Sequence, residues 1–216
     1  MENKLVSIVL PTYKREERLK LCLKRIFDNT VYQPYEIIIV INEAISDKYR
    51  FLDGLPNVRF YFNGENNGAI FSWHRGIDLS KGEYLVWLND DVEVCPRWLQ
   101  IGMYEMNIKL QGNGMIGFYD GFQDFYGALF LIYKELYLKL KPEGYKHYGI
   151  DFELTKKAND LGKYYKSKLA MVLHYHPGIF PFIQSDETYQ SESKYLSEDN
   201  MLLIERLNEK NKSKRV

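Results

Sequence analysis

Three apolar runs in the first ninety residues carry almost no polar alternation: "VSIVLP" (6–11), "YEIIIVIN" (35–42) and "EYLVWL" (83–88). A fourth, "NVRFYFN" (57–63), alternates only weakly. Strands of this kind need cover on both faces, which antiparallel hairpins do not give and helical crossovers do. The segments between them supply the helices. "EERLKLCLKRIFD" (16–28) sets Leu19, Leu23, Ile26 and Phe27 on one helical face. "NNGAIFSWHRGIDLSKG" (66–82) reads as a glycine-bearing loop, then a helix that turns Ile70, Trp73 and Ile77 inward and stops at Gly82. Pro96 suits the first turn of a further helix carrying Leu99, Met103, Met106 and Leu110. The alternation predicts an α/β fold with a central, mainly parallel sheet flanked by helices.

The second half is less regular. "GALFLIY" (127–133) reads as a strand, "KELYLKL" (134–140) as a short helix and "EGYKHYG" (143–149) as a loop. "IDFELTKKANDLG" (150–162) is a helix with Leu154, Ala158 and Leu161 on one side, and Asp151 falls three residues before Leu154 on that same side. "KLAMVLHYHP" (168–177) is a strand ending in histidines. The chain of 216 residues shows no repeat and no low-complexity linker. It reads as a single domain, 1–216, with a nucleotide-side half (1–110), a half that completes the site (111–180) and a C-terminal helical tail (181–216).

Composition narrows the function classes. Lys+Arg and Asp+Glu are equal at 29 each, so nothing suggests a general nucleic-acid binder. Cys22 and Cys95 make no disulfide framework and read as small apolar residues. The apolar run before Pro11 is too short for a secretory signal or a membrane span, so a soluble, cytoplasmic protein is expected. The 18 Tyr, 12 Phe and 3 Trp serve packing, or in part stack on bases or sugars.

In an open parallel sheet, ligands bind beyond the carboxyl ends of the strands. "PTYKR", "NEAISD" and "NDD" all fall at such ends. The last holds Asp90 beside Asp91, directly after a buried strand. Two adjacent carboxylates repel unless water, a cation or a hydroxyl-rich ligand separates their demands. The plainer alternative is a pair of acids capping a surface turn.

The order "VSIVLPTYKR", "YEIIIVINEAISD", "NNGAIFSWHRGIDLSKGEYLVWLNDDVEV", "GALFLIY" and "IDFEL" resembles the family-2 glycosyltransferases of GT-A fold, over roughly residues 5–177. The run from Asn66 to Val94 carries most of the likeness. The resemblance implies a D-x-D-type motif holding a divalent metal, Mn²⁺ or Mg²⁺, on the diphosphate of a nucleotide sugar. Here the motif reads Asn89-Asp90-Asp91, an amide in place of the first acid. It implies Asp91 as metal ligand and Asp90 as acceptor from ribose or sugar hydroxyls. Tyr13 would stack on a base, backbone groups at Pro11 and Thr12 would read its edge, and Arg15 would meet phosphate. "NEAISD" departs from the family's acidic-Gly-Ser run; Glu43 or the carbonyl of Asn42 would accept the N–H of uracil. Asn67 and Gly68 belong to an N-x-G loop that lets the backbone approach the nucleotide. His74 stands where the family often has Asn, and reads as structural.

The resemblance also implies an inverting transfer of a hexose, glucose first, from a UDP-sugar to an acceptor hydroxyl. Asp151 is the candidate base, or else a helix cap, with Glu153 as the back-up. A histidine closing the metal site would be His174, with His176 the alternative. Two rival readings remain. A sugar nucleotidyltransferase would share the scaffold, although "LPTYKREER" lacks that class's glycine-rich loop. A catalytically degenerate nucleotide-sugar binder would keep Asp90 and Asp91 and lose the base.

Overall fold

The computed structural model describes residues 3–121, 127–175, 190 and 195–213. Strands β1 (Val6–Thr12), β2 (Tyr35–Ile41), β3 (Val58–Phe62) and β4 (Tyr84–Trp87) form the parallel part of an eight-stranded sheet. Short β5 (Val92–Val94), β6 (Met115–Tyr119), β7 (Phe130–Tyr133) and long β8 (Tyr164–His174) complete it, in the order β3-β2-β1-β4-β7-β6-β8-β5. β7 runs antiparallel to both β4 and β6, while β8 runs parallel to β6 and antiparallel to β5. Every residue of β1 and β4 is buried, as the lack of alternation requires.

Helices α1 (Glu16–Asn29), α2 (Ala69–Leu79) and α3 (Trp98–Leu110) provide the cover. α1 buries Leu19, Cys22, Leu23 and Ile26. α2 buries Ile70, Trp73 and Ile77, and it reaches the sheet through Gly76, where a Cβ would stand 2.3 Å from Val9 Cγ1. Trp73 is fully buried, packs on Trp87 with ring centroids 4.5 Å apart, and donates through Nε1 to the Tyr137 hydroxyl at 3.2 Å. Many of the aromatics are thus packing residues with their polar atoms paired. The second half adds α4 (Lys134–Leu140), α5 (Ile150–Asp160) and α6 (Leu196–Ser213).

Several local readings change. Ser80, not Gly82, ends α2: its N–H and hydroxyl both donate to the Ile77 carbonyl. Pro96 precedes α3, which starts after Arg97 in a left-handed conformation. Leu161 is half exposed at the end of α5 rather than inward. Cys22 is buried, but Cys95 is only partly so. β5 and β6 are strands that the sequence reading does not anticipate, and β8 begins at Tyr164 rather than near Lys168.

Candidate active site

The carboxyl ends of β1 and β4 lie side by side because the two strands are hydrogen-bonded neighbours. Thr12 closes β1, and the chain turns through Tyr13 and Lys14 to Arg15, which sits at the N-cap position of α1 and is buried. On the β4 side, Asn89, Asp90 and Asp91 bridge into β5. Thr12 Oγ1 donates to Asp90 Oδ2 at 2.7 Å. Arg15 Nη1 stands 3.2 Å from Asp90 Oδ1 and 3.5 Å from Asp91 Oδ2. One guanidinium therefore lies between both carboxylates and offsets half of their charge.

The pairing of β5 with β8 sets Val92 opposite His174 and so brings the histidine beside Asp91. His174 Nε2 is 3.1 Å from Asp91 Oδ1 and 3.1 Å from Asn89 Nδ2. Trp87 Nε1 donates to Asn89 Oδ1 at 3.1 Å, which turns the amide's NH₂ toward the imidazole. The Asp91 carbonyl accepts from the Tyr175 N–H at 2.9 Å, locking the end of β8 to the acidic turn.

Burial pushes the Asp90 carboxyl upward; Arg15 opposes this and the neighbouring Asp91 charge reinforces it. Burial acts against a charged His174, but Asp91, then Asp120 and Asp151, outweigh it and raise its pKa. Burial, followed by the Asp90 and Asp91 charges, also raises the Cys22 thiol, which excludes a thiolate nucleophile here. A cavity of about 360 Å³ opens beside the two carboxylates, with Arg18 and Arg25 of α1 and Tyr175 on its wall.

Asp151 lies in the first turn of α5, partly exposed, and accepts from the Phe152 N–H at 2.9 Å. Burial raises its pKa to about 6, against the backbone N–H groups and the charges of His174 and His147, which pull it down. The charges of Asp151 and His174 act on each other. Glu153 is differently engaged: it accepts from the Tyr145 hydroxyl at 2.6 Å and pairs with Lys157 at 2.6 Å and Arg206 at 2.8 Å. Such a carboxylate is held in its charged form by fixed partners, and it joins α5 to α6.

The amide of Asn42 is engaged inside the fold. It donates to Asn66 Oδ1 at 2.6 Å and accepts from Asn63 Nδ2 at 2.9 Å and the Asn67 N–H at 3.0 Å. These bonds fix the loop holding Asn67 and Gly68. Glu43 Oε1 accepts from the Lys14 N–H at 3.1 Å and the Tyr49 hydroxyl at 2.5 Å, so the turns after β1 and β2 share one carboxylate. Half-buried Tyr13 follows buried Pro11 and Thr12 on that rim. Gly68 has φ +87°, and a Cβ on it would stand 2.8 Å from the Lys146 carbonyl oxygen. The loop 143–149 therefore packs directly on the N-x-G loop. Asp199 of α6 pins that packing by accepting from the N–H groups of Lys146, His147 and Tyr148 at 2.8–3.0 Å.

His74 is partly buried with Nε2 lacking a partner among the described residues, and burial lowers its pKa to about 4. It is a neutral side chain of α2, next to the Tyr137 ring. His176 lies outside the described residues. Among residues the sequence reading passed over, Asp120 directly follows β6, is buried, pairs with Lys166 at 3.6 Å and acts on His174. Arg18 and Arg25 share a stripe with Arg15 and Cys22, a three-four spacing visible in the sequence.

The chain matches the model of glycosyl transferase family 2 over residues 7–149, and it belongs to that family. It is 30% identical over 109 residues to the glucosyl-dolichyl phosphate glucuronosyltransferase of Haloferax volcanii, covering 47% of this chain and 34% of that protein. It is 29% identical over 103 residues to the putative colanic acid biosynthesis glycosyl transferase WcaA of Escherichia coli, covering 46% of this chain and 37% of that protein. The chain thus spans about a third of the length of these relatives. Among solved structures, the mannosyltransferase PcManGT from Pyrobaculum calidifontis, in complex with GDP-Man and Mn²⁺, superposes with a TM-score of 0.67 at 16% identity, over 81% of this chain and 57% of that one. S. aureus TarS 1-349 in complex with UDP-GlcNAc gives 0.64 at 12% identity, over 77% and 57%. The fold is the GT-A fold.

Proposed function

We propose that the chain transfers a hexose from a nucleoside diphosphate sugar to an acceptor hydroxyl, with inversion at the anomeric carbon. The observation that carries this reading is the convergence of Thr12, Arg15, Asp90, Asp91 and His174 at the carboxyl ends of the strands, where the charge of Asp151 also acts on His174. Asp90, held by Thr12 and Arg15, presents a fixed acceptor to ribose or sugar hydroxyls. Tyr13 stacks on the base, with backbone at Pro11 and Thr12 along its edge. Uridine is the base we propose, because its ring N–H needs one acceptor and Glu43 and the Asn42 carbonyl stand on that turn. Asn67 and Gly68 bring backbone close to the nucleotide.

The residues present fit a divalent cation. Asp91 Oδ1 and His174 Nε2 lie 3.1 Å apart. With a proton on Nε2 they form an ion pair; without it, Nε2 accepts from the Asn89 NH₂ at 3.1 Å, a bond that Mn²⁺ or Mg²⁺ held by Asp91 and His174 would replace. Among the described residues no group of three or more His, Cys, Asp or Glu could hold a metal by itself. Mn²⁺ or Mg²⁺ would draw its remaining ligands from the donor's phosphates and water, so Asp91 and His174 would suffice as the protein's share. When bound, it would offset the charge that develops on the departing diphosphate.

Asp151 takes the proton of the acceptor hydroxyl as that oxygen attacks the anomeric carbon. With its pKa raised only to about 6 it is still mostly ionised at neutral pH, and it is more basic than an ordinary aspartate. The α6 helix holds the preceding loop through Asp199 and the neighbouring Glu153 through Arg206, so the base sits on a braced element. The acceptor is a hydroxyl-bearing molecule, and no helix among the described residues is long and apolar enough to cross a membrane. Incubation with Mn²⁺ and a panel of nucleotide sugars, UDP-glucose first, tests the proposal. Release of UDP supports it. Pyrophosphate-dependent release of UTP would make the chain a nucleotidyltransferase, and binding without turnover on any acceptor would make it a nucleotide-sugar binder.

A further inference from the structure

At the other end of the sheet, beyond the amino ends of β1 and β4, lies a second cavity of about 820 Å³. That volume is within the range of small-molecule sites. One wall is a stripe of α3, Gln100, Tyr104 and Asn107, spaced four and three residues apart, followed by Gln111 at the C-cap. The facing wall carries Tyr84 and Tyr133, whose ring centroids are 5.7 Å apart. Tyr84 is fixed by donating its hydroxyl to the Gly112 carbonyl at 2.8 Å.

The chemistry of these walls is specific in one respect: it is polar but uncharged. The only ionic side chains lining the cavity among the described residues are Lys4 and Glu83, which pair with each other at 3.2 Å. No cation is left over for a phosphate or a carboxylate, so a nucleotide or an acidic ligand has no counter-charge here. Five side-chain amides, those of Asn3, Gln100, Asn107, Gln111 and Asn113, instead offer donors and an acceptor each, the pattern that vicinal hydroxyls match. Gln100 Oε1 is buried with no hydrogen-bond partner among the described residues, so this amide still has an acceptor to satisfy. Tyr104, 63% exposed, presents a ring face between these amides that suits the apolar C–H face of a pyranose.

We propose that this cavity is a binding site for a neutral oligosaccharide, separate from the acidic site. Asp91 follows Tyr84 by seven residues of mostly extended chain, so the two sites are about 20 Å apart. A saccharide can occupy the cavity whether or not a nucleotide sugar is bound at the other end.

Calorimetric titration of the full chain, with no metal or nucleotide present, tests this directly. The probes are neutral hexasaccharides of glucose, mannose, galactose and N-acetylglucosamine, with hexagalacturonate as the acidic control. At least one neutral hexamer should bind saturably and more tightly than hexagalacturonate. Tyr104→Ala and Gln100→Ala should each weaken it by about tenfold, the scale of one lost stacking face or buried hydrogen bond. Tyr104→Phe should retain the affinity. Tyr104 is exposed, so its replacement leaves the fold intact, and an unchanged unfolding curve checks this. The proposal is overturned if no neutral hexamer binds, if hexagalacturonate binds best, or if the Tyr104→Ala and Gln100→Ala variants bind as wild type. Donor hydrolysis at the acidic site is a separate readout, so either claim can fail alone.

Discussion

Replacing Asp151 with asparagine separates a catalytic base from a helix cap, because the two roles predict opposite changes in stability. The carboxyl has its pKa raised to about 6, chiefly by burial. An unfolded aspartate titrates near ~3.9, so the native state holds this proton about two pKa units more tightly, which is worth up to ~3 kcal/mol. Stability from that group is fully present below pH ~4 and is lost as pH rises through ~6. At pH 8 the native protein therefore carries a partly desolvated charge that asparagine does not have, and residual exposure brings the effect below that upper bound. Asparagine also keeps the oxygen that accepts from the Phe152 N–H. Asp151→Asn should stabilise the chain by about 1–3 kcal/mol at pH 8, with a Tm gain of about 2–4 °C per kcal/mol, and the gain should vanish below pH ~4. The same change should lower turnover by about 10²–10⁴, the range for loss of a general base. Wild-type turnover should fall about tenfold between pH 7 and pH 5, with a midpoint near 6, and the residual activity of the variant should lack that limb. Thermal unfolding across pH and donor turnover with an acceptor measure both arms. A variant with wild-type turnover, or one destabilised at pH 8, would refute the reasoning and return Asp151 to a capping role.

Gly68→Ala places a Cβ against the Lys146 carbonyl in a left-handed backbone, so it should cost about 1–3 kcal/mol in urea unfolding and raise the KM for the donor. Asp199→Ala leaves the N–H groups of Lys146, His147 and Tyr148 without their acceptor, and should cost about 2–4 kcal/mol while accelerating amide exchange at those residues. Arg206→Ala removes one of three partners of the buried Glu153; unfolding should show a loss of about 1–2 kcal/mol that Glu153→Gln partly restores.

The parallel part of the sheet was legible because its strands are continuous apolar runs, and Val6–Thr12 or Tyr35–Ile41 have no other stable use. β5 was not, since three residues inside "DDVEV" give no periodicity to read. β6 was masked by its length and by the glycines at 112 and 114 before it, and with it went Asp120. The start of β8, "YYKSK", is polar and partly exposed at a twisting edge, so its pattern resembles a loop. At the site, the acidic pair announced itself as two charges after a buried strand. The partners of single residues did not. Asn42 turns inward because Asn63, Asn66 and Asn67 return to it from a later loop. Glu153 is engaged because Arg206 arrives from a helix 53 residues away. Those contacts are set by tertiary packing, which local spacing does not encode.

The central claim is that a cation joins Asp91 and His174 to the diphosphate of the donor. Calorimetric titration of UDP into the protein, with Mn²⁺ and again with EDTA, addresses it most directly. Wild type should bind UDP at least about tenfold more tightly with Mn²⁺, and Asp91→Asn should remove that difference. Equal affinity with and without Mn²⁺ in wild type, or a metal effect that survives in Asp91→Asn, would contradict the account.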